Sequence, residues 1–466
     1  MISKPLHITV AGHTNTGKTS LLRTLTRDAR FGEVSDRPGT TRHVEAARLL
    51  VDGKVLLELY DTPGIEESID LLALLEEQAA SNDSREDGPS RIRRFLDSAP
   101  AKDRFEQEAK VLRQLLRSDA AFYVLDARDP VLAKHRDELE ILRLCGVPLL
   151  PLLNFSADPA ARESVWREAL AGLGLHAIVR FDTVAPAEDG ERLLYEKLAS
   201  LLDPHRDLLN KLIQNHAEEA RLRQLAAMEQ IADLLIGVAA LRERVSTMNA
   251  DSLEKGVELL NRTVRAREQA CVERLLSLYR FYPDDVETAA LPLVDGRWQM
   301  DAFDPLLLQT MGVRVGGGAA AGAAAGAGID LMVGGLTLGA AAAIGALLGG
   351  GLQTLRHYGS GLLGKLTGEK SLRVDDSILL VLASRQCELI LALERRGHAA
   401  QQRAVSSREL LPLFPENVLP AAIRLARANP SWAQDKSASF GDEGRQDAVV
   451  TLSHDLDTGM STLRQR

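Results

Sequence analysis

Cysteine is scarce: Cys145, Cys271 and Cys387 are the only three in a chain of 466 residues. Their wide separation excludes a CxxC metal site and a disulfide framework, and suits a reducing compartment. Aromatic residues make up only 4% of the chain, and Trp166, Trp298 and Trp432 are scattered. They read as core or interface residues rather than as a platform for stacked bases. The ten histidines show no HxxxH or HExxH spacing, so no protein-built metal site is expected. Basic charge is in deficit, with 56 Lys and Arg against 65 Asp and Glu and a formal net charge of -9. A general electrostatic grip on nucleic acid is therefore not expected. The opening Met1-Ile2-Ser3-Lys4-Pro5 lacks the charged-then-apolar layout of a secretory leader. That predicts a cytoplasmic protein.

What is present is ordinary globular material with one local anomaly. Hydrophobic residues at 45% and charged residues at 26% exclude a wholly disordered chain. The length suggests roughly two to four domains. The anomaly is glycine, of which 14 of 36 fall between Gly312 and Gly351.

Residues 1–203 alternate short apolar runs with helical patterns, which predicts an α/β domain around a central sheet. Leu6 to Ala11, Ala47 to Val51, Val55 to Tyr60, Ala120 to Leu125, Pro148 to Leu153 and Ala177 to Phe181 read as strands. Asp52-Gly53 marks a hairpin between the second and third of these. Helices are expected from near Lys18 and over His135 to Leu144, Pro159 to Leu173 and Glu191 to Leu202. The stretch 66–118 reads as an insertion, helical at its ends and mobile at its polar centre, Ser81 to Ser90. Residues 204–311 read as helical. Ile231, Leu234, Val238, Leu241 and Val245, and then Leu253, Val257, Leu260 and Val264, form apolar stripes. These suit an internal helical bundle or a self-associating coiled coil. Residues 353–428 look helical, and the polar tail 429–466 reads as loosely ordered. The C-terminal half is thus expected to be all-α.

Three motifs carry chemistry. Gly12-His13-Thr14-Asn15-Thr16-Gly17-Lys18-Thr19 fits G-x-x-x-x-G-K-[ST], with a strand before it and a helix from near Lys18 after it, and Gly12, Asn15, Thr16, Gly17, Lys18, Thr19 and Ser20 are its candidate nucleotide-binding residues. Its glycines let backbone N–H groups converge on an anion at a helix N-terminus. Lys18 is placed to reach the β- and γ-phosphates, and Thr19 to ligate Mg²⁺. Asp61-Thr62-Pro63-Gly64 follows a strand end, where an aspartate holds nucleotide-bound Mg²⁺ and a glycine N–H faces the γ-phosphate. Between them, Thr41 in Pro38-Gly39-Thr40-Thr41-Arg42 is the first choice to close over Mg²⁺, with Thr40 second.

On these residues the chain resembles the GTPases of the TrmE–Era–EngA group in the translation-factor class. The loop with Asn15 resembles that group's G-x-P-N-x-G-K-[ST], Gly39 to Arg42 resembles its T-T-R switch, and Asp61 to Gly64 matches its DTPG. The likeness covers about residues 5–203. Carried on a C-terminal half unlike that group's accessory domains, it resembles a bacterial family of GTPases with an uncharacterised C-terminal domain. The resemblance implies binding of GTP and GDP, slow Mg²⁺-dependent hydrolysis, and a K⁺ ion near Asn15, which otherwise braces its own loop. It also implies a homodimer through the GTPase domain. The group's N-K-x-D base motif corresponds to Asn154-Phe155-Ser156-Ala157-Asp158, with Phe155 for lysine and the aspartate one residue late. Asp158 either reads guanine or caps the following helix. Ile65 cannot orient the attacking water as a glutamine would, and His13 has no assigned role.

In 312–352 the glycines recur at four-residue spacing, as at Gly318, Gly322 and Gly326. Small residues so spaced let two helix backbones approach closely. The stretch predicts a Gly/Ala-rich helical hairpin turning near Asp330. It is either associated with the inner face of the cytoplasmic membrane or packed in a soluble core. The functional expectation is a GTPase switch coupled to that element. An Era-like RNA- or ribosome-associated GTPase and a dynamin-like membrane scaffold are the alternatives.

Overall fold

Six strands form one sheet of order β2-β3-β1-β4-β5-β6 in a computed structural model. It describes residues 4–27, 31, 44–80, 86–183, 189–246, 250–281, 293–294, 297–298, 301–304, 329–333, 336–339, 369–395, 411, 413–415, 418–433 and 443–464. The strands are β1 (Leu6–Ala11), β2 (Glu45–Val51), β3 (Lys54–Asp61), β4 (Ala120–Asp126), β5 (Leu149–Asn154) and β6 (Val179–Arg180). All neighbours run parallel except the edge pair β2 and β3. Asp52 and Gly53 turn that hairpin with φ of 51° and 72°, the left-handed pair that a tight two-residue turn requires.

The uninterrupted apolar run of β4 is buried on both faces, as a central parallel strand must be. Its Ala120, Phe122 and Val124 join Leu21, Leu22 and Leu25 of α1 (Lys18–Thr26) and Leu194, Tyr195 and Leu198 of α7 (Gly190–Leu201). Its Ala121, Tyr123 and Leu125 face the opposite core. There they meet α2 (Ser68–Ala80), α3 (Gly88–Asp97), α4 (Glu106–Leu115), α5 (Ala133–Leu144) and α6 (Glu163–Gly172). Strand β1 has parallel partners on both sides, β3 and β4. Its C-terminal end is therefore the crevice where the strand order reverses, the preferred ligand position in open α/β sheets.

Three expected boundaries move. The insertion is a covering layer of the sheet, with Leu71, Leu75, Ile92, Phe95, Val111 and Leu112 in the core. The end of its polar centre starts α3: the Asp87 carboxylate accepts from Ser90 N at 2.8 Å and Pro89 occupies the first turn, which is helix-start chemistry. Residues 81–85 lie outside the described ones. The helix expected from Pro159 begins at Glu163, after a turn in which Asp158 holds Ala160 N at 2.8 Å.

The chain divides into two compact units, one principally Met1–Ala220, the other Arg221–Leu393 and Arg403–Arg466. The boundary falls inside the long helix α8 (Arg206–Ala239). The second unit contains the rest of α8, α9 (Ala250–Leu278), α10 (Asp376–Arg395) as far as Leu393, α11 (Ala421–Ala428) and α12 (Glu443–Arg464). The region is helical, as expected, and both apolar stripes are buried. Val245, however, sits on a strand, not on the same helix as Ile231. A four-stranded antiparallel sheet runs β9 (Leu336–Gly339), β8 (Ile329–Val333), β10 (Glu369–Val374), β7 (Glu243–Ser246).

That sheet corrects the reading of the glycine-rich stretch. Its described residues, 329–333 and 336–339, are paired strands, and Asp330 lies opposite Gly339 and Arg373 rather than at a helical turn. The β-branched Ile329 and Val333 favour that state, and each glycine costs a helix about 1 kcal/mol relative to alanine. The rest of 312–352 lies outside the described residues. Among the described residues no helix is long and apolar enough to cross a membrane.

The tail is also corrected. Most of it is α12, which buries Val449, Leu452, Leu456 and Met460 in the core of the second unit. These apolar residues are separated by three and four positions, a helical stripe sparse enough for polar neighbours to hide it. Leu452→Ala is expected to lower unfolding stability by about 2–5 kcal/mol, and exposed Val450→Ala by under about 0.5 kcal/mol. Equal effects in urea titrations would mean that α12 does not pack.

Candidate functional site

Between β1 and α1 the chain closes a tight loop over Gly12 to Thr19. Three residues take left-handed backbone: Gly12 at φ 144°, Asn15 at 62° and Gly17 at 91°. Two glycines are also required by space. A Cβ on Gly12 would stand 2.2 Å from the Val124 carbonyl oxygen, and one on Gly17 would stand 2.3 Å from Asn154 Nδ2. Thr16 Oγ1 donates to His13 O at 3.0 Å and braces the turn. The Lys18 ammonium is buried and donates to Gly12 O at 3.1 Å and His13 O at 2.7 Å. Burial lowers its pKa, against the raising field of Asp61. Ser20 is half-buried in the first turn of α1, and Asn15 is exposed at the loop tip.

The strand end β3 delivers Asp61 to the first turn of α1. Thr19 Oγ1 donates to Asp61 Oδ2 at 2.6 Å, and Asp61 Oδ1 is buried without a hydrogen-bond partner. Burial pushes the Asp61 pKa up, while Thr19 and Lys18 pull it down. A hydroxyl and a carboxylate with one orphaned buried oxygen are an oxygen-only donor set, which suits a hard cation such as Mg²⁺. Thr62 Oγ1 ties the same corner to Val10 O at 2.7 Å. Gly64 lies against the loop so closely that a Cβ there would meet Thr14 N at 2.8 Å. Thr41, with Thr40 and the rest of its loop, lies outside the described residues.

The strand end β5 delivers Asn154, which is fully buried. Its Nδ2 donates to Thr16 O at 2.9 Å. Its Oδ1 accepts from Phe155 N at 2.9 Å, Thr183 N at 2.9 Å and Thr183 Oγ1 at 3.1 Å. Asn154 thus joins the glycine-rich loop to the loop after β6, the position expected for the last base loop. Phe155 takes a φ of 54°, and the Arg128 guanidinium sits 4.0 Å over its ring. Arg128 is itself forked onto Asp126, with contacts of 2.9 Å and 2.6 Å. Asp158 Oδ1 accepts from Ala160 N, and its Oδ2 lies 3.9 Å from Arg128. The structure brings Gly12, Asn15, Thr16, Gly17, Lys18, Thr19, Asp61, Gly64 and Asn154 together, and leaves Asp158 committed to its own turn.

Two polar groups beside this site were missed in the sequence. His13 Nδ1 lies 2.9 Å from Ile65 O and 2.7 Å from the buried Glu138 Oε1. Glu108, on α4, accepts from Glu66 N at 3.2 Å and Glu67 N at 3.3 Å. Each contact spans more than 40 positions: His13 stands at a position of the loop motif that accepts most residues, and Glu108 lies in no motif, so no sequence signal marked either contact.

The family model described as a domain of unknown function, DUF3482, matches residues 167–454. The model described as 50S ribosome-binding GTPase matches residues 7–154. No curated protein matches the chain. Among solved structures, a variant of Aquifex aeolicus Era bound to GDP·AlF4⁻ aligns at 16% identity and TM-score 0.31, covering 43% of this chain and 57% of that one. Era in complex with MgGDPNP and nucleotides 1506–1542 of 16S ribosomal RNA aligns at 16% and 0.31, covering 43% and 56%. The G domain of the T. maritima FeoB iron transporter aligns at 20% and 0.25, covering 42% and 98%. The chain thus spans a little over half the length of the Era chains it matches.

Asp61 offers a test, without reference to turnover, of whether the Thr19–Asp61 corner takes a cation. Its raised pKa means the fold disfavours the carboxylate, so the stability it lends is present at acid pH and lost as pH rises through its folded pKa. Asp61→Asn is therefore expected to raise the unfolding temperature at neutral pH in chelator. That gain should fade below about pH 3.9, the ordinary carboxyl value. If the pocket takes Mg²⁺ with nucleotide, that ligand pair is expected to stabilise the parent and not the variant. A variant stabilised by Mg²⁺ and nucleotide as strongly as the parent would remove Asp61 from the pocket.

Proposed function

The chain belongs to the family of the domain of unknown function DUF3482, with a P-loop GTPase domain ahead of that domain, and from this we propose that it is a GTP-binding and GTP-hydrolysing molecular switch. The observation that carries the reading is the Thr19–Asp61 pair, with its orphaned buried oxygen, beside the Lys18 ammonium. The loop amides and Lys18 would receive the β- and γ-phosphates. Thr19 and Asp61 would hold Mg²⁺, with Thr41 closing over it, and the ion would offset phosphate charge. Gly64 would turn its N–H to the γ-phosphate, so that loss of that group frees the segment behind it. Ile65 is fully buried and cannot bond a water, which supports low intrinsic turnover.

Asn15, exposed at the loop tip, is the proposed K⁺ contact, acting where charge develops on the bridging oxygen. Asn154 holds the base loop in place. Guanine selection falls to Asp158, whose Oδ1 is engaged by Ala160 N, so discrimination against adenine is expected to be weak for this class. The second unit is the proposed output device. Its membrane association rests on the glycine-rich stretch, and a ribosome-directed output is favoured by the description of the matched GTPase family.

The test is phosphate release by the full chain. GTP is expected to be cleaved slowly, with loss of activity in chelator, faster rates in K⁺ than in Na⁺, and ATP cleaved within about a hundredfold of GTP. Absence of binding to GTP and GDP alike would reject the switch. Equal rates in K⁺ and Na⁺ would reject the Asn15 role alone. On cell fractionation the chain is expected to sediment with membranes and to be released by carbonate. Sedimentation with ribosomes instead would favour the ribosome-directed output.

A further inference from the structure

His13 occupies the second position of the phosphate loop, and both nitrogens of its imidazole are engaged by groups outside that loop. Nδ1 faces two acceptors, the Ile65 carbonyl at 2.9 Å and the Glu138 carboxylate at 2.7 Å. Two acceptors on one nitrogen require that nitrogen to carry the proton. Nε2 faces the Lys134 ammonium at 2.8 Å. An ammonium only donates, so Nε2 is the acceptor and the ring is the neutral Nδ1–H tautomer. Glu138 is fully buried, and its second oxygen accepts from Tyr123 Oη at 2.7 Å. The hydrogen bonds therefore run Lys134 to His13 to Glu138, with Tyr123 closing the far end. Lys134 and Glu138 are one helical turn apart on α5, and Tyr123 is on β4. The His135 ring meets the His13 ring edge-on at 5.8 Å and leans on Trp166 at 5.1 Å.

What this network grips is the segment after Asp61-Thr62-Pro63-Gly64. His13 holds the Ile65 carbonyl, and its neighbour Thr14 meets Gly64 in close contact. On the other side Glu108 takes the Glu66 and Glu67 amides. Residues 64–67 are fixed from the phosphate loop and from the insertion at once. We propose that His13 is a positioning residue for hydrolysis: oriented by Glu138 and Lys134, it fixes the residue after Gly64 and supplies a constraint that the Ile65 side chain cannot. The proposal rests on the GTPase reading. It concerns the γ-phosphate side only, so it separates the handling of GTP from the binding of GDP.

The experiment compares single-turnover phosphate release from Mg²⁺·GTP with affinity for a fluorescent GDP analogue, using the full chain. His13→Leu keeps the bulk and removes both nitrogens. It is expected to lower the rate about tenfold, less than the roughly 10²–10³ lost when a group touching the transition state is removed. GDP affinity is expected to stay within about threefold. His13→Asn carries an amide that reaches only as far as Nδ1, and is expected to recover most of the rate. Lys134→Met changes a half-exposed side chain, so it keeps the test open if His13→Leu fails to fold. It is expected to give a smaller fall in rate with GDP affinity unchanged. A parent-like rate in His13→Leu, or in Lys134→Met where His13→Leu does not fold, overturns the proposal. So does a loss of GDP affinity as large as the loss of rate, because His13 would then only hold the loop together. If the parent chain cleaves no GTP, the switch reading fails rather than this one.

Discussion

The backbone turn from Gly12 to Thr19 is the constraint on which the first unit depends. It needs left-handed backbone at Gly12, Asn15 and Gly17, and no room for a side chain on either glycine. Thr16 and Lys18 brace it from within, and the Val124 carbonyl, Asn154 and Gly64, on or just after three other strands, close it from outside. Once it is formed, the helix start, the Lys18 ammonium and the Thr19 hydroxyl all face the strand end that carries Asp61. A parallel sheet whose order reverses at β1 is what brings these strand ends to one crevice.

The second dependence is burial of charge beside the loop. Lys18, Asp61 and Glu138 are all buried within the same corner, an arrangement that is costly unless each group has partners. Lys18 has loop carbonyls, Asp61 has Thr19, and Glu138 has His13 and Tyr123. Only one oxygen of Asp61 is left over. That imbalance fits a site completed by a cation, and it distinguishes Asp61 from the structural carboxylates around it.

Much of the first unit was legible in the sequence because its signals are local. The apolar run of β4, the Asp52-Gly53 turn and the glycine-rich loop each specify their own conformation. Asn154 was found because it ends a strand. What escaped was non-local or diluted. His13 and Glu138 meet across 125 positions, and Glu108 reaches Glu66 and Glu67 from a helix that read as part of an insertion. In the second unit the polar residues of α12 masked its core stripe. The four-residue glycine spacing around Asp330 suggested a helix, where pairing with Glu369–Val374 makes a strand. Sheet partners that distant leave no periodic trace in either segment.

Hydrogen–deuterium exchange on the full chain, with GDP and with a non-hydrolysable GTP analogue, tests the central claim most directly. The account predicts that residues 12–19 are protected by both nucleotides and residues 64–67 by the GTP analogue alone. Identical protection of residues 64–67 by the two nucleotides, or none in residues 12–19 with either, would contradict it.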